Sequence, residues 1–311
     1  MYVCQTSIDK HSRYMSTAEN KNEVFKQDLD TKGEFQRIFQ IHLLFKERGT
    51  RPQGKVIQET LNARFGKTDI VADVKDSLST FAVWKFLVEY KDDQKVPAQV
   101  LMSDFENFDA NAIDQMQRSQ LWDCPNNEEI LATCKYKLML SDFLASGLEY
   151  KERCELLTGW LETTLELFPD CIAVWVPSSG KLLTREQVLD NPWNEECRFL
   201  HFGINVRFFN IQGTNDMLVD SLGLYAIGLP DVQYHFHELD PNAVVDHAYN
   251  VAAYIFTQDD PIQDDETIAG LNGQKMDAEI RWKCQHESAL IQPEREVMDI
   301  CPGEYASGGR E

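Results

Sequence analysis

The chain has 311 residues, 43% of them apolar and 11% aromatic, which is enough apolar material for two compact cores. Thirty Lys and Arg against 51 Asp and Glu give a formal net charge of −21; that balance repels phosphate backbones and anionic lipid and counts against nucleic-acid and membrane binding. No run approaches the roughly 20 apolar residues that span a bilayer, and no apolar stretch follows a basic start near residue 1, so a cytoplasmic protein is expected.

Residues 1–35 are polar with scattered apolar side chains and predict a flexible N-terminal arm. A first α+β unit is expected over 36–127. It starts with a strand in which Phe39, Ile41, Leu43 and Phe45 share one face. A helix over 54–65 follows, with Ile57, Leu61 and Phe65 four apart and Gly66 as its stop. Strands over 84–90 and 96–103 and a helix over 109–121 complete the unit. This β-α-β-β-α order is that of a ferredoxin-like layer. Residues 122–128, with Pro125 and two asparagines, predict a linker or turn between the units.

A second unit of the same type is expected over 128–257, and the fold class is α+β with mainly antiparallel sheets covered by helices. Its elements are a strand over 129–140, which could instead close the first unit, a long helix over about 150–168 with Ser146 and Glu149 at capping-box spacing, and strands over 171–176, 202–208 and 217–227. Asp240 and Pro241 fit an N-cap and first turn for a helix carrying Val244, Ala248, Val251, Ala252 and Ile255. Residues 258–311 are expected to be an acidic loop, over 258–266, and an extension of short strand-like pieces with a frayed end over 303–311.

The stretch Asp220-Ser-Leu-Gly-Leu-Tyr-Ala-Ile-Gly-Leu-Pro-Asp231-Val-Gln233, with Asp264-Asp-Glu-Thr-Ile268 and Pro293-Glu-Arg295, resembles the bacterial domain-of-unknown-function family DUF4261. The resemblance covers about residues 200–300. It implies a bacterial cytoplasmic protein and, through the company such families keep, a toxin–immunity or contact-dependent secretion context. Gly228-Leu-Pro-Asp231 itself reads as a turn, with Asp231 and Gln233 as the polar residues most suited to presentation on a surface.

Chemistry-bearing patterns are sparse. The eight cysteines, Cys4, Cys124, Cys134, Cys154, Cys171, Cys197, Cys284 and Cys301, form no C-x-x-C pair and read as reduced, mostly buried thiols, with Cys154 on a helix and Cys134 in a strand. His235 and His237 would share a strand face, as a metal-binding pair can, with Asp240 as third ligand or as helix cap. Asp259, Asp260, Asp264, Asp265 and Glu266 lack EF-hand spacing and read first as a solvated loop and second as a docking surface for a basic partner. Ser178-Ser-Gly180 has no nucleophile-elbow context, and Trp84, Trp160, Trp175 and Trp282 fall on apolar faces. No cofactor and no catalytic residue is expected.

The leading expectation is a non-enzymatic protein that binds a basic protein partner, with an immunity or antitoxin role as the concrete case. The alternatives are a metal-dependent hydrolase using His235, His237 and Asp240, and a housekeeping scaffold. The charge has a plainer explanation too, since acidic surface by itself keeps a protein soluble.

Overall fold

The computed structural model describes residues 7–8, 38–89 and 94–308. The arm expected over 1–35 lies outside them except for a two-residue strand, β1 (Ser7–Ile8). The chain divides between Gly203 and Ile204 into two compact α+β units.

In the unit ending at Gly203, buried Phe39, Ile41, Leu43 and Phe45 line one face of β2 (Gln40–Phe45). Ile57, Leu61 and Phe65 bury the matching stripe of α1 (Gly54–Phe65), which Gly66 ends at φ 81°. Then come β3 (Thr68–Val74), β4 (Leu78–Glu89), β5 (Lys95–Ser103), β6 (Glu106–Asn107), α2 (Gln115–Ser119), α3 (Asn127–Thr133), β7 (Tyr136–Phe143) and α4 (Tyr150–Leu167). The unit closes with β8 (Ala173–Val176), β9 (Lys181–Thr184), α5 (Arg185–Leu189) and α6 (Leu200–Gly203).

The sheet order is β3-β4-β5-β7-β2-β8-β9, every pairing is antiparallel, and β6 adds to β7. Its middle four strands, β5-β7-β2-β8, carry the ferredoxin-like order. The β2-to-β5 and β7-to-β8 connections run through α1 and α4, and β3 and β4 are inserted before β5. The two helices pack on each other closely enough that a Cβ on Gly159 would stand 2.4 Å from the Phe65 ring. Trp160, Leu161 and Leu165 are fully buried beneath that contact. Each such side chain contributes about 1.5–3 kcal/mol of hydrophobic stabilisation.

Several expected boundaries move. Residues 122–128 form turns and no linker: Cys124 is fully buried in a cluster with Leu44, Ile113, Leu121, Ile130 and Trp175, and β7 beyond it pairs with β2 and β5. The expected strand over 129–140 is α3 followed by β7, and Cys134 is the helix C-cap rather than a strand residue. Acidic Glu128 and Glu129 favour a helix first turn there, and the true alternation begins only at Tyr136. The helix expected over 109–121 is cut in two. Asp109 caps a 3₁₀ turn (Ala110–Ala112), and Asp114 with Gln117 forms a capping box that starts α2. Glu149, not Ser146, caps α4. Trp84, expected on an apolar face, is 40% exposed and donates to Asp69.

The second unit contains β1, β10 (Asn205–Ile211), β11 (Met217–Leu222), β12 (Asp231–Phe236), α7 (Pro241–Thr257), β13 (Thr267–Asn272), β14 (Lys275–Ser288) and β15 (Glu296–Cys301). The strands order as β1-β10-β11-β12-β15-β14-β13. Pairings are antiparallel except β1 with β10 and β12 with β15. Two three-strand meanders joined through α7 replace the ferredoxin-like order expected here. The pieces read as an extension supply three of the seven strands, β14 alone running for 14 residues. The strand expected over 217–227 stops at Leu222, because Gly223 and Gly228 take positive φ and bracket a 3₁₀ turn, Leu224–Ile227. The residues expected to fray include a further 3₁₀ turn, Gly303–Tyr305. Asp240 caps α7 and Pro241 opens it, as the sequence predicts.

Candidate functional site

Strand alternation in β10, β11, β12 and β15 places Arg207, Asp220, Gln233 and Asp299 at paired register positions. All four are buried. Arg207 donates to both carboxylate oxygens of Asp220, Nε at 2.8 Å and Nη2 at 2.6 Å. Arg295 lies between two carboxylates: its Nη2 is 2.7 Å from Asp220 and its Nε 3.0 Å from Asp231. The remaining donors of Arg295 reach the carbonyls of Ser221, Ile291 and Pro293. Arg207 and Arg295 thus face Asp220 and Asp231 in a buried site, where breaking one partnership leaves an uncompensated charge.

Asp231 also ties down the turn that follows β11. It accepts from the Ser221 hydroxyl at 2.8 Å and from the backbone N–H groups of Gly223, Leu224 and Tyr225. Burial pushes its carboxyl above the ordinary range against the pull of Arg295 and these donors. Gln233 donates to Asp299 at 3.0 Å and accepts from Leu290 N–H at 2.8 Å, fastening the segment after β14 across the sheet. Asp231 and Gln233 are 0% exposed, so the expected presentation of both on a surface is corrected. Their strand positions face inward, and the turn places Asp231 over its own backbone donors.

The acidic segment is built, not loose. Asp259, Asp260 and Asp265 adopt positive φ. Asp265 N–H donates to the Cys284 carbonyl, and Cys284 N–H donates to that of Glu266. His286 in β14 stands between two of its aspartates, with Nδ1 2.9 Å from Asp264 and Nε2 3.6 Å from Asp260. Asp260, then Asp264, push His286 up to about 9 against the opposing effect of burial. Asp259, Asp265 and Glu266 remain exposed, and Asp265 pairs with exposed Lys283. Of the five acids expected on a docking surface, Asp260 and Asp264 therefore act as anchors.

His235 and His237 meet a different carboxylate from the one expected. His235 Nε2 is 3.6 Å from Asp216, the Ser307 hydroxyl donates to Asp216 at 2.9 Å, and His237 Nδ1 lies 3.2 Å from Ser307 Oγ. His235, then Ser307, hold the Asp216 carboxyl below the ordinary range. The Ser307 hydroxyl thus directs its proton to Asp216 and not to a histidine base. Asp240 takes no part: it accepts from Asn242 N–H and from Gln274 Nε2. Among the described residues no three His, Cys, Asp or Glu side chains converge to hold one metal ion. Burial raises the Cys124 and Cys134 thiols to about 11 and pushes Cys154 and Cys171 up as well, which removes thiolate character at neutral pH. The described cysteines are free thiols, and no helix of the described residues is long and apolar enough to cross a membrane.

Residues 220–301 match the family model of DUF4261, a domain of unknown function. No curated protein and no solved structure matches the chain. The DUF4261 segment begins at Asp220 and contains Asp231, Gln233, Arg295 and Asp299, so it holds most of the buried polar network together with α7 and the acidic segment. Arg207, which closes the network from β10, lies outside the matched residues. Asp220, Arg295 and the Asp231–Gln233 pair all stand in the stretches that resemble the family. Their shared role in one buried network becomes visible only once β12 and β15 lie side by side. His286 and Asp216 gave no sequence signal at all, being single polar residues far from the carboxylates or histidines they serve.

Proposed function

We propose that this is a non-enzymatic, cytoplasmic protein that binds a basic protein partner through its acidic segment, with neutralisation of a basic toxin as the concrete case. The observation that carries the reading is the preorganised acidic segment. His286 and the backbone of Cys284 hold residues 259–266 in one conformation, while Asp259, Asp265 and Glu266 stay exposed. A segment already ordered loses less entropy on docking than a free loop. The segment also leads directly into β13, the edge strand of its sheet. The chain's −21 charge would steer a cationic partner toward it.

The test compares wild type with an Asp259→Asn/Asp265→Asn/Glu266→Gln variant as immobilised bait in extracts of the native host, and then measures association kinetics of whatever is captured. Basic proteins should be retained by wild type at low salt and lost from the variant. Salt should slow association far more than it speeds dissociation, because screening shortens the reach of the field to about 8 Å at physiological ionic strength. Association indifferent to salt in both proteins would remove the acidic segment from the binding surface.

A further inference from the structure

Lys151, Glu155, Thr158 and Glu162 recur at four- and three-residue steps with Cys154 beside them, so they form one face along α4. Arg64 at the end of α1 and Arg198 ahead of α6 both reach Glu162. Arg64 Nη2 is 3.2 Å from Oε2, and Arg198 Nε is 2.9 Å from Oε1. Two guanidinium groups thus share one carboxylate. Arg64 Nε and Nη1 and Arg198 Nη1 make no hydrogen bond among the described residues.

Beside these arginines lies a cleft of about 500 Å³ whose lining includes buried Cys154, Thr158 and Phe199 and exposed Glu195. Thr158 is 5% exposed, and its hydroxyl has no hydrogen-bond partner among the described residues. Buried hydroxyls are nearly always paired, so this one calls for an acceptor. Glu195 has no ion-pair partner among the described residues.

The geometry points to a binding site for a small zwitterion, an α-amino acid with an apolar side chain. The unpaired donors of Arg64 and Arg198 match a carboxylate, which guanidinium groups bind in fork geometry. Glu195 matches the ammonium group. Phe199 and the Cys154 thiol supply an apolar surface for the side chain, and the cleft has the volume of ordinary small-molecule sites. A zwitterion also suits the chain's −21 charge, which opposes the approach of a simple anion. The site is independent of the docking reading and lies in the other unit.

Calorimetric titration of the full chain with L-leucine and L-phenylalanine tests it, with isovalerate and isoamylamine as probes lacking the ammonium or the carboxylate. At least one amino acid should saturate the protein in the millimolar range or below, with both half-ligands at least about tenfold weaker. Arg64→Gln should weaken binding by about tenfold, the value of one charge-assisted hydrogen bond. Glu162→Gln should tighten it several-fold by releasing both arginines from their competing carboxylate, which a purely structural Glu162 would not do. Failure of both amino acids to saturate, isovalerate binding as tightly as leucine, or unchanged affinity in Glu162→Gln would each overturn the assignment.

Discussion

Replacing Asp264 by Asn removes one of the two charges facing His286 and keeps the side-chain oxygen that accepts His286 N–H at 2.8 Å. In the folded protein Asp260 and Asp264 push His286 up to about 9, against ~6.5 for an unfolded histidine. The difference, 9 − 6.5, is about 2.5 pH units and corresponds to about 3.4 kcal/mol. The Asp260 and Asp264 side chains are 29% and 32% exposed, so solvent screening brings the contribution down to about 1–2 kcal/mol. Because the folded value is raised, this stability is fully present below pH ~6.5 and is lost as pH rises through about 9. Urea unfolding should therefore find Asp264→Asn less stable than wild type by about 1 kcal/mol near pH 6, with the gap closing by about pH 10. His286→Gln should flatten the wild-type pH dependence over the same window. An Asp264→Asn deficit that is equal at both pH values, or absent near pH 6, would refute the clamp as an electrostatic device.

Arg295→Met should cost about 3–5 kcal/mol, because it leaves Asp231 buried without a counter-ion and Asp220 with Arg207 alone; chemical denaturation reads this directly. Asp240→Ala should cost about 1 kcal/mol as a lost helix cap, and Asp240→Asn much less, in thermal unfolding of the intact chain. Tyr234→Phe removes the 2.7 Å hydrogen bond from the buried phenol to His247 Nδ1, whose other nitrogen donates to the Ala269 carbonyl at 2.9 Å. The unpaired ring nitrogen should lower stability by about 1–3 kcal/mol, with hydrogen exchange rising first in α7 and β13.

Helix α1 was legible residue for residue, because a four-residue apolar repeat ending in Gly66 has no competing reading. The same holds for the start of α7, where Asp240 and Pro241 fit only an N-cap and first turn. Strand β3 was missed because Ile70, Val71 and Val74 are exposed, which breaks the alternation that marks a strand. Residues 122–128 misled for the opposite reason. Their turn-forming composition suits a linker as well as a turn, whereas Cys124 and its neighbours are packed into a core by β2 and β8, elements distant in sequence.

For the functional residues the split follows the range of the interactions. Sequence alone determined the α+β class, the strong negative charge, the absence of known catalytic spacings, and the stretches that resemble DUF4261. Those properties are local or compositional. Only the tertiary structure decided that Asp231 and Gln233 are buried, that His286 turns two of the five loop acids into anchors, and that His235 and His237 face Asp216 instead of Asp240. Arg295 reaches Asp220 across 75 positions of sequence. Arg64 and Glu162 are 98 apart. Partnerships at such separations leave no periodicity or spacing in the chain; they exist because sheet register and helix packing bring the groups together, and burial then sets which charges must be paired.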